Sequence, residues 1–234
     1  MFSPAEGVPT TMRLAGVSSL LIAVLGLAYA AVLAATAALG SLSLPPPEPV
    51  ASFAAVDTIA TAILLVVLVV GIDGMTPPER QPFSRLALVF TAMFAVAVTI
   101  NRFVQLTIVR QSIATGDVGD LRRFLPYDPR SAMFALEILG WGLFLGLAAV
   151  CLVPVFRGSR RRAWIARLFA LYGALGLGSA VGLVFDSPLT AVGFIGWGAV
   201  LPLCAALIAA EAWPSRRAVP RGASLNAPGD IPAR

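Results

Sequence analysis

Six times along the chain an apolar stretch of the length needed to cross a ~30 Å hydrocarbon layer is followed by a short polar break. The stretches run Leu14 to Leu39, Ser52 to Ile72, Leu86 to Val109, Ala132 to Phe156, Trp164 to Phe185 and Leu189 to Ala210. A backbone in lipid must satisfy its own hydrogen bonds, so such stretches predict helices. The fold class expected is all-α: a polytopic transmembrane bundle of six transmembrane helices forming a single domain over residues 1–213. The run Ala35-Thr36-Ala37 has the small-residue pattern of a signal-peptidase site, but the apolar stretch before it is far longer than a signal core of about 7 to 15 residues.

The breaks differ in character. Leu44 to Val50 contains Pro45, Pro46, Pro47 and Pro49, which suits an extended exposed link. The longest connection, between the third and fourth stretches, is polar and mixed in charge, with Asp117, Asp120, Arg122, Arg123, Asp128 and Arg130. Only Asp186-Ser187-Pro188 joins the last two stretches, which predicts a tight antiparallel hairpin, with Gly176, Gly178 and Gly182 facing Gly193 or Gly196. After Trp213 the composition turns to Pro, Ala, Gly and Arg, and residues 214–234 read as a disordered cytoplasmic tail.

Composition narrows the chemistry. The 234 residues are 58% hydrophobic and 12% charged, with no His and no Lys, so all 17 basic residues are Arg. A His-ligated haem, a His-containing zinc site, a Ser-His protease and a Lys Schiff base each require a residue absent from this chain. No cofactor and no metal site is expected. Cys151 and Cys204 stand apart inside apolar stretches and read as buried thiols. The net charge of +5 would point to nucleic acid in a soluble protein, but here the arginines mark topology.

Cytoplasmic loops carry the excess of positive residues. With the N-terminus inside, twelve arginines fall on the inner side: Arg13, Arg80, Arg85, Arg157, Arg160, Arg161, Arg162, Arg167, Arg216, Arg217, Arg221 and Arg234. Four fall outside, Arg110, Arg122, Arg123 and Arg130, all in the third connection. The expected location is the cytoplasmic (inner) membrane, multi-pass, with both termini in the cytoplasm and the bilayer as the principal partner. Arg157, Arg160, Arg161 and Arg162 could also attract anionic headgroups. Small residues at helical spacing, Gly142 with Gly146 and Gly178 with Gly182, point to close helix packing within the chain. Of the four tryptophans, Trp164 and Trp213 fit interfacial anchors best, since each lies at the cytoplasmic end of a stretch.

Ionisable residues inside the stretches are the candidate site, because an intramembrane charge costs about 2.5 to 3.5 kcal/mol on insertion scales and usually has a partner. Asp57, Arg102 and Glu137 sit five, seven and five residues from the outer ends of the second, third and fourth stretches. At 1.5 Å per residue they share a layer about 7 to 11 Å deep. Thr61 lies one turn from Asp57, Asn101 and Gln105 flank Arg102, and Trp141 lies one turn from Glu137.

With Asn101-Arg102-Phe103-Val104-Gln105 and Glu137-Ile138-Leu139-Gly140-Trp141, the stretch from Ala51 to Phe156 resembles uncharacterised bacterial six-helix membrane proteins. That resemblance implies fold and topology and no activity. The candidate ligand-binding cluster is Asp57, Asn101, Arg102, Gln105, Glu137 and Trp141, with Arg102 expected inside the bundle beside Glu137 and Asp57 within reach. The favoured reading of the three charges is a clamp, with Arg102 between two carboxylates holding three helices together and binding nothing; the functional reading is a cavity open to the outside that they line. The reading favours a non-enzymatic small transporter or ligand-binding accessory component. The alternatives are a membrane enzyme using Glu137 or Asp57 as acid or base on a lipidic substrate, and a structural subunit of a membrane complex. Inverted repeats would mark a transporter, but the last two stretches hold no counterparts of the deep charges.

Overall fold

The computed structural model describes residues 10–40, 47–116, 119–125 and 128–213. Six helices long and apolar enough to span a bilayer account for nearly all of these residues: α1 (Thr10–Ala38), α2 (Val50–Gly74), α3 (Pro78–Thr115), α4 (Ala132–Val155), α5 (Arg160–Val184) and α6 (Pro188–Ala212). The chain is an all-α, multi-pass, membrane-embedded bundle. Residues 44–46 of the proline-rich link and the whole 214–234 tail lie outside the described residues.

The helices pack as a closed ring in chain order, α1 on α2 and so on, with α6 returning to α1. Large apolar side chains such as Leu27, Val56, Val96 and Val184 point outward, as a lipid-facing surface requires. The core between the helices is apolar in the half nearer the α2–α3 turn, where Leu65, Val69, Leu145, Ala149, Phe169 and Cys204 surround a small cavity of about 30 Å³. There Ser84 on α3 donates a hydrogen bond to the Asp73 carboxylate on α2.

Helix ends follow capping chemistry more closely than hydropathy. Ser131 begins α4 by accepting from Phe134 N at 2.9 Å, and Ser159 begins α5 by accepting from Arg162 N at 3.3 Å. The third helix does not stop at Val109, as the apolar stretch implies. Arg110 and Gln111 extend it, because polar residues at a helix end do not break hydrogen bonding, and it stops at Gly116, whose φ of 76° supplies the left-handed cap. Likewise α1 is already helical at Thr10, the first described residue, four residues before the apolar stretch.

Glycines set the closest approaches. On Gly176 of α5 a Cβ would lie 2.8 Å from Gly142 O of α4, so these backbones nearly touch. That corrects the expected hairpin in part: Gly176 faces α4, not α6. The α5–α6 contact instead uses Gly182 against Leu189 and Thr190, and Gly193 against Ser179, whose hydroxyl donates to Thr190 O at 2.6 Å. The expectation failed for Gly176 because α5 touches neighbours on two sides, and spacing alone does not say which face meets which helix.

At the other end of the bundle Arg161 and Arg162 lie 3.5 and 3.4 Å from the Glu211 carboxylate. Arg161 also donates to Ala210 O at 2.9 Å near the end of α6. Part of the arginine cluster thus ties α5 to α6, and Arg157 and Arg160 stay exposed. Trp164 and Trp213 are about half exposed, and the Arg167 guanidinium lies 4.9 Å above the Trp164 ring.

Candidate ligand-binding cavity

Asn101, Arg102 and Gln105 fall within one turn at the point where α3 changes from α to π geometry, over Gln105–Val109. Glu137 sits where α4 makes the same change, over Ile138–Phe144. Widening the turn re-aims side chains, and such bulges are frequent at functional sites. A third π segment, Gly196–Val200 in α6, carries Trp197.

The four polar side chains close a ring. Arg102 forms an ion pair with Glu137 Oε1 through Nη2 and donates from Nη1 to Gln105 Oε1 at 2.9 Å. Gln105 Nε2 donates to Asn101 Oδ1 at 3.0 Å, and Asn101 Nδ2 donates to Glu137 Oε2 at 2.6 Å and to Met133 O at 3.1 Å. One guanidinium and one carboxylate balance each other, and each also engages an amide, Gln105 for Arg102 and Asn101 for Glu137. A buried charge pair is tolerated under those conditions. The side chains of Arg102 and Glu137 are only 10% and 12% exposed, and Asn101 is wholly buried.

This ring forms part of the wall of a partly open cavity of about 290 Å³. Five helices line it. From α1 come Ile22, Gly26, Tyr29 and Leu33; from α2, Asp57, Thr58 and Thr61; from α3, Arg102 and Gln105. From α4 come Met133, Phe134, Glu137 and Trp141, and from α6, Phe194, Trp197, Gly198, Leu201 and Pro202. The cavity therefore brings together five of the six residues the sequence marks out: Asp57, Arg102, Gln105, Glu137 and Trp141. Asn101 stands behind them as a support for Glu137.

Asp57 departs from the expectation of an arginine held between two carboxylates. No ion pair joins it to Arg102 among the described residues, and its Oδ1 is buried without a hydrogen-bond partner. Arg102 turns to Glu137 because the two amides that complete the network lie on that side. The cavity thus holds a neutral polar ring and one additional carboxyl group.

An aromatic chain crosses the cavity wall. Phe94 meets Trp141 edge-on at 4.8 Å, Trp141 lies 5.7 Å from Trp197, and Trp197 meets Phe194 edge-on at 4.9 Å. Both indole Nε1 groups are buried without partners. Helix α5 does not reach the cavity, but its Tyr172 hydroxyl donates to Trp141 O at 3.2 Å and so holds the π segment of α4 from behind. Sequence reasoning missed Tyr29, Phe134, Phe194 and Trp197 as lining residues. Their only signal is an aromatic side chain inside an apolar stretch, which ordinary core packing also produces.

No protein-family model, curated protein or solved structure matches this chain.

Proposed function

We propose that this protein is a non-enzymatic membrane protein that binds a small molecule in the cavity between α1, α2, α3, α4 and α6, as a transporter or as the ligand-binding component of one. One observation carries the reading. All three π segments among the described residues border a single cavity, and Asp57 of α2, Arg102 of α3 and Glu137 of α4 all line it. A cluster that only clamped helices would leave as little space as the apolar half of the core, where the cavity measures only about 30 Å³. Asp57, Trp141 and Trp197 all line that cavity, and Asp57 Oδ1 and the two indole Nε1 atoms accept or donate no hydrogen bond among the described residues.

Catalysis is less well supported. Glu137 is held by Arg102 and Asn101 and is poorly placed to exchange a proton with a substrate. No cluster of metal-binding side chains exists among the described residues. In the proposed orientation both termini are cytoplasmic, the host is the cytoplasmic membrane, and the cavity lies in the outer half of the bundle under the α3–α4 connection. The twelve-to-four arginine bias supports this.

The test is thermal unfolding of the purified protein in detergent with small aryl solutes of each charge type. A ligand at one hundred times its Kd stabilises by about 2.7 kcal/mol, a measurable rise in Tm. The rise should vanish in Gly198→Leu, which adds a bulky side chain at the exposed rim of the cavity, where a Cβ meets nothing within 4 Å. No stabilisation by any solute, or stabilisation that survives Gly198→Leu, would overturn the reading.

A further inference from the structure

We infer that the cavity takes a small aromatic or alicyclic monocation, admitted from the bilayer between α1 and α6, with Asp57 as its counter-ion. The inference rests on the ligand-binding reading above and names the ligand's class.

The first argument is charge. Arg102 and Glu137 balance each other within their hydrogen-bonded ring, so the carboxyl group of Asp57 is the charge the cavity leaves over. Its Oδ1 is buried and accepts no hydrogen bond. A carboxylate in a low-dielectric wall attracts a cation strongly, because few water dipoles compete. An anionic ligand would instead face Asp57 while Arg102 remained engaged by Glu137.

Wall chemistry points the same way. Tyr29, Phe134, Trp141, Phe194 and Trp197 surround the cavity, and aromatic faces attract ammonium groups through the ring quadrupole. A volume of about 290 Å³ lies at the low end of small-molecule sites and suits a single ring with a short substituent.

Access follows from how α6 packs. Its Leu201–Ala212 half lies against α1, where Gly26 lets Pro202 approach, whereas its Val192–Val200 half packs on α5. On the N-terminal side of Pro202, α6 packs against α5 and hardly touches α1. There the cavity is lined by Leu33 of α1 and by Phe194 and Gly198 of α6, and the last two are exposed to the surroundings of the bundle. An opening at that depth faces lipid tails, so a ligand using it needs an apolar body as well as a charge.

Benzyltrimethylammonium is the probe, compared with its uncharged carbon isostere neopentylbenzene and with benzoate. Thermal unfolding of the full chain in detergent is followed as each is titrated. The ammonium should stabilise wild type at the lowest concentration. Its apparent affinity should fall roughly tenfold or more in Asp57→Asn, the loss expected for a charge-assisted contact, and recover in part in Asp57→Glu. Where Asp57→Asn fails to purify, the ammonium-against-isostere comparison on wild type decides alone. Equal affinity for the isostere, preference for benzoate, or an unchanged Asp57→Asn overturns the monocation. If those shifts still vanish in Gly198→Leu, the ligand site itself stands. If no probe stabilises wild type, both readings fall.

Discussion

Arg102 on α3 and Glu137 on α4 form an ion pair that neither makes alone: Gln105 takes a second guanidinium proton donor, and Asn101 donates to the second carboxylate oxygen. The four groups behave as one unit, so removing one leaves the others with unmet charge or hydrogen bonds at a site where the ion pair is only 10% and 12% exposed. That relationship holds α3 against α4 and fixes one wall of the cavity.

Arg102→Ala should destabilise the protein by about 3 to 5 kcal/mol, because Glu137 is left buried without its counter-charge. Asn101→Ala should cost less, about 1.5 to 3 kcal/mol, the range for losing a hydrogen bond to a charged group. Denaturation in mixed detergent and abundance in the membrane measure both. The swap Arg102→Glu with Glu137→Arg should recover part of the loss. Arg102→Ala unfolding like wild type would show that the ring carries no stability.

Gly176→Ala should destabilise by about 1 to 3 kcal/mol, whereas Gly198→Ala should be nearly neutral. The new Cβ at Gly176 would sit 2.8 Å from Gly142 O, and neither backbone can give way without separating α4 from α5. At Gly198 the same atom enters open space. Comparing the two Tm values tests the helix contact independently of any ligand.

Tyr172→Phe should cost about 1 kcal/mol through the lost hydrogen bond to Trp141 O. Because Tyr172 supports the π segment from outside the cavity, the variant should also change tryptophan fluorescence through Trp141 and its neighbour Trp197. A stability loss with an unchanged spectrum would show that Tyr172 does not position Trp141.

Topology is checked by placing single cysteines at Thr115 and Ser159 in a Cys151→Ala, Cys204→Ala background. An impermeant thiol reagent applied to intact cells should label Thr115→Cys and spare Ser159→Cys until the membrane is opened. Both positions are exposed, so access and not burial decides the result. The reverse pattern would place the cavity on the cytoplasmic side.

The sequence by itself determined that the chain crosses the membrane six times as helices, because length and apolarity answer directly to the thickness of the hydrocarbon layer. It also placed Asp57, Arg102 and Glu137 in one zone, since depth along a helix is a matter of counting residues. Helix ends were less legible: at Gly116 a left-handed backbone, not the loss of apolar residues, stops α3.

Tertiary structure alone decided who pairs with whom. Whether Arg102 would turn to Asp57 or to Glu137 depended on where α2 and α4 flank α3 and on Asn101 and Gln105 completing one arrangement and not the other. The contribution of α1 and α6 to the cavity was likewise hidden, because Tyr29 and Trp197 resemble any aromatic residue of an apolar helix until the ring of helices closes around them. Composition and period fix which residues can be buried; the rotation of each helix about its axis, set by contacts such as Gly142 on Gly176, fixes what they are buried against.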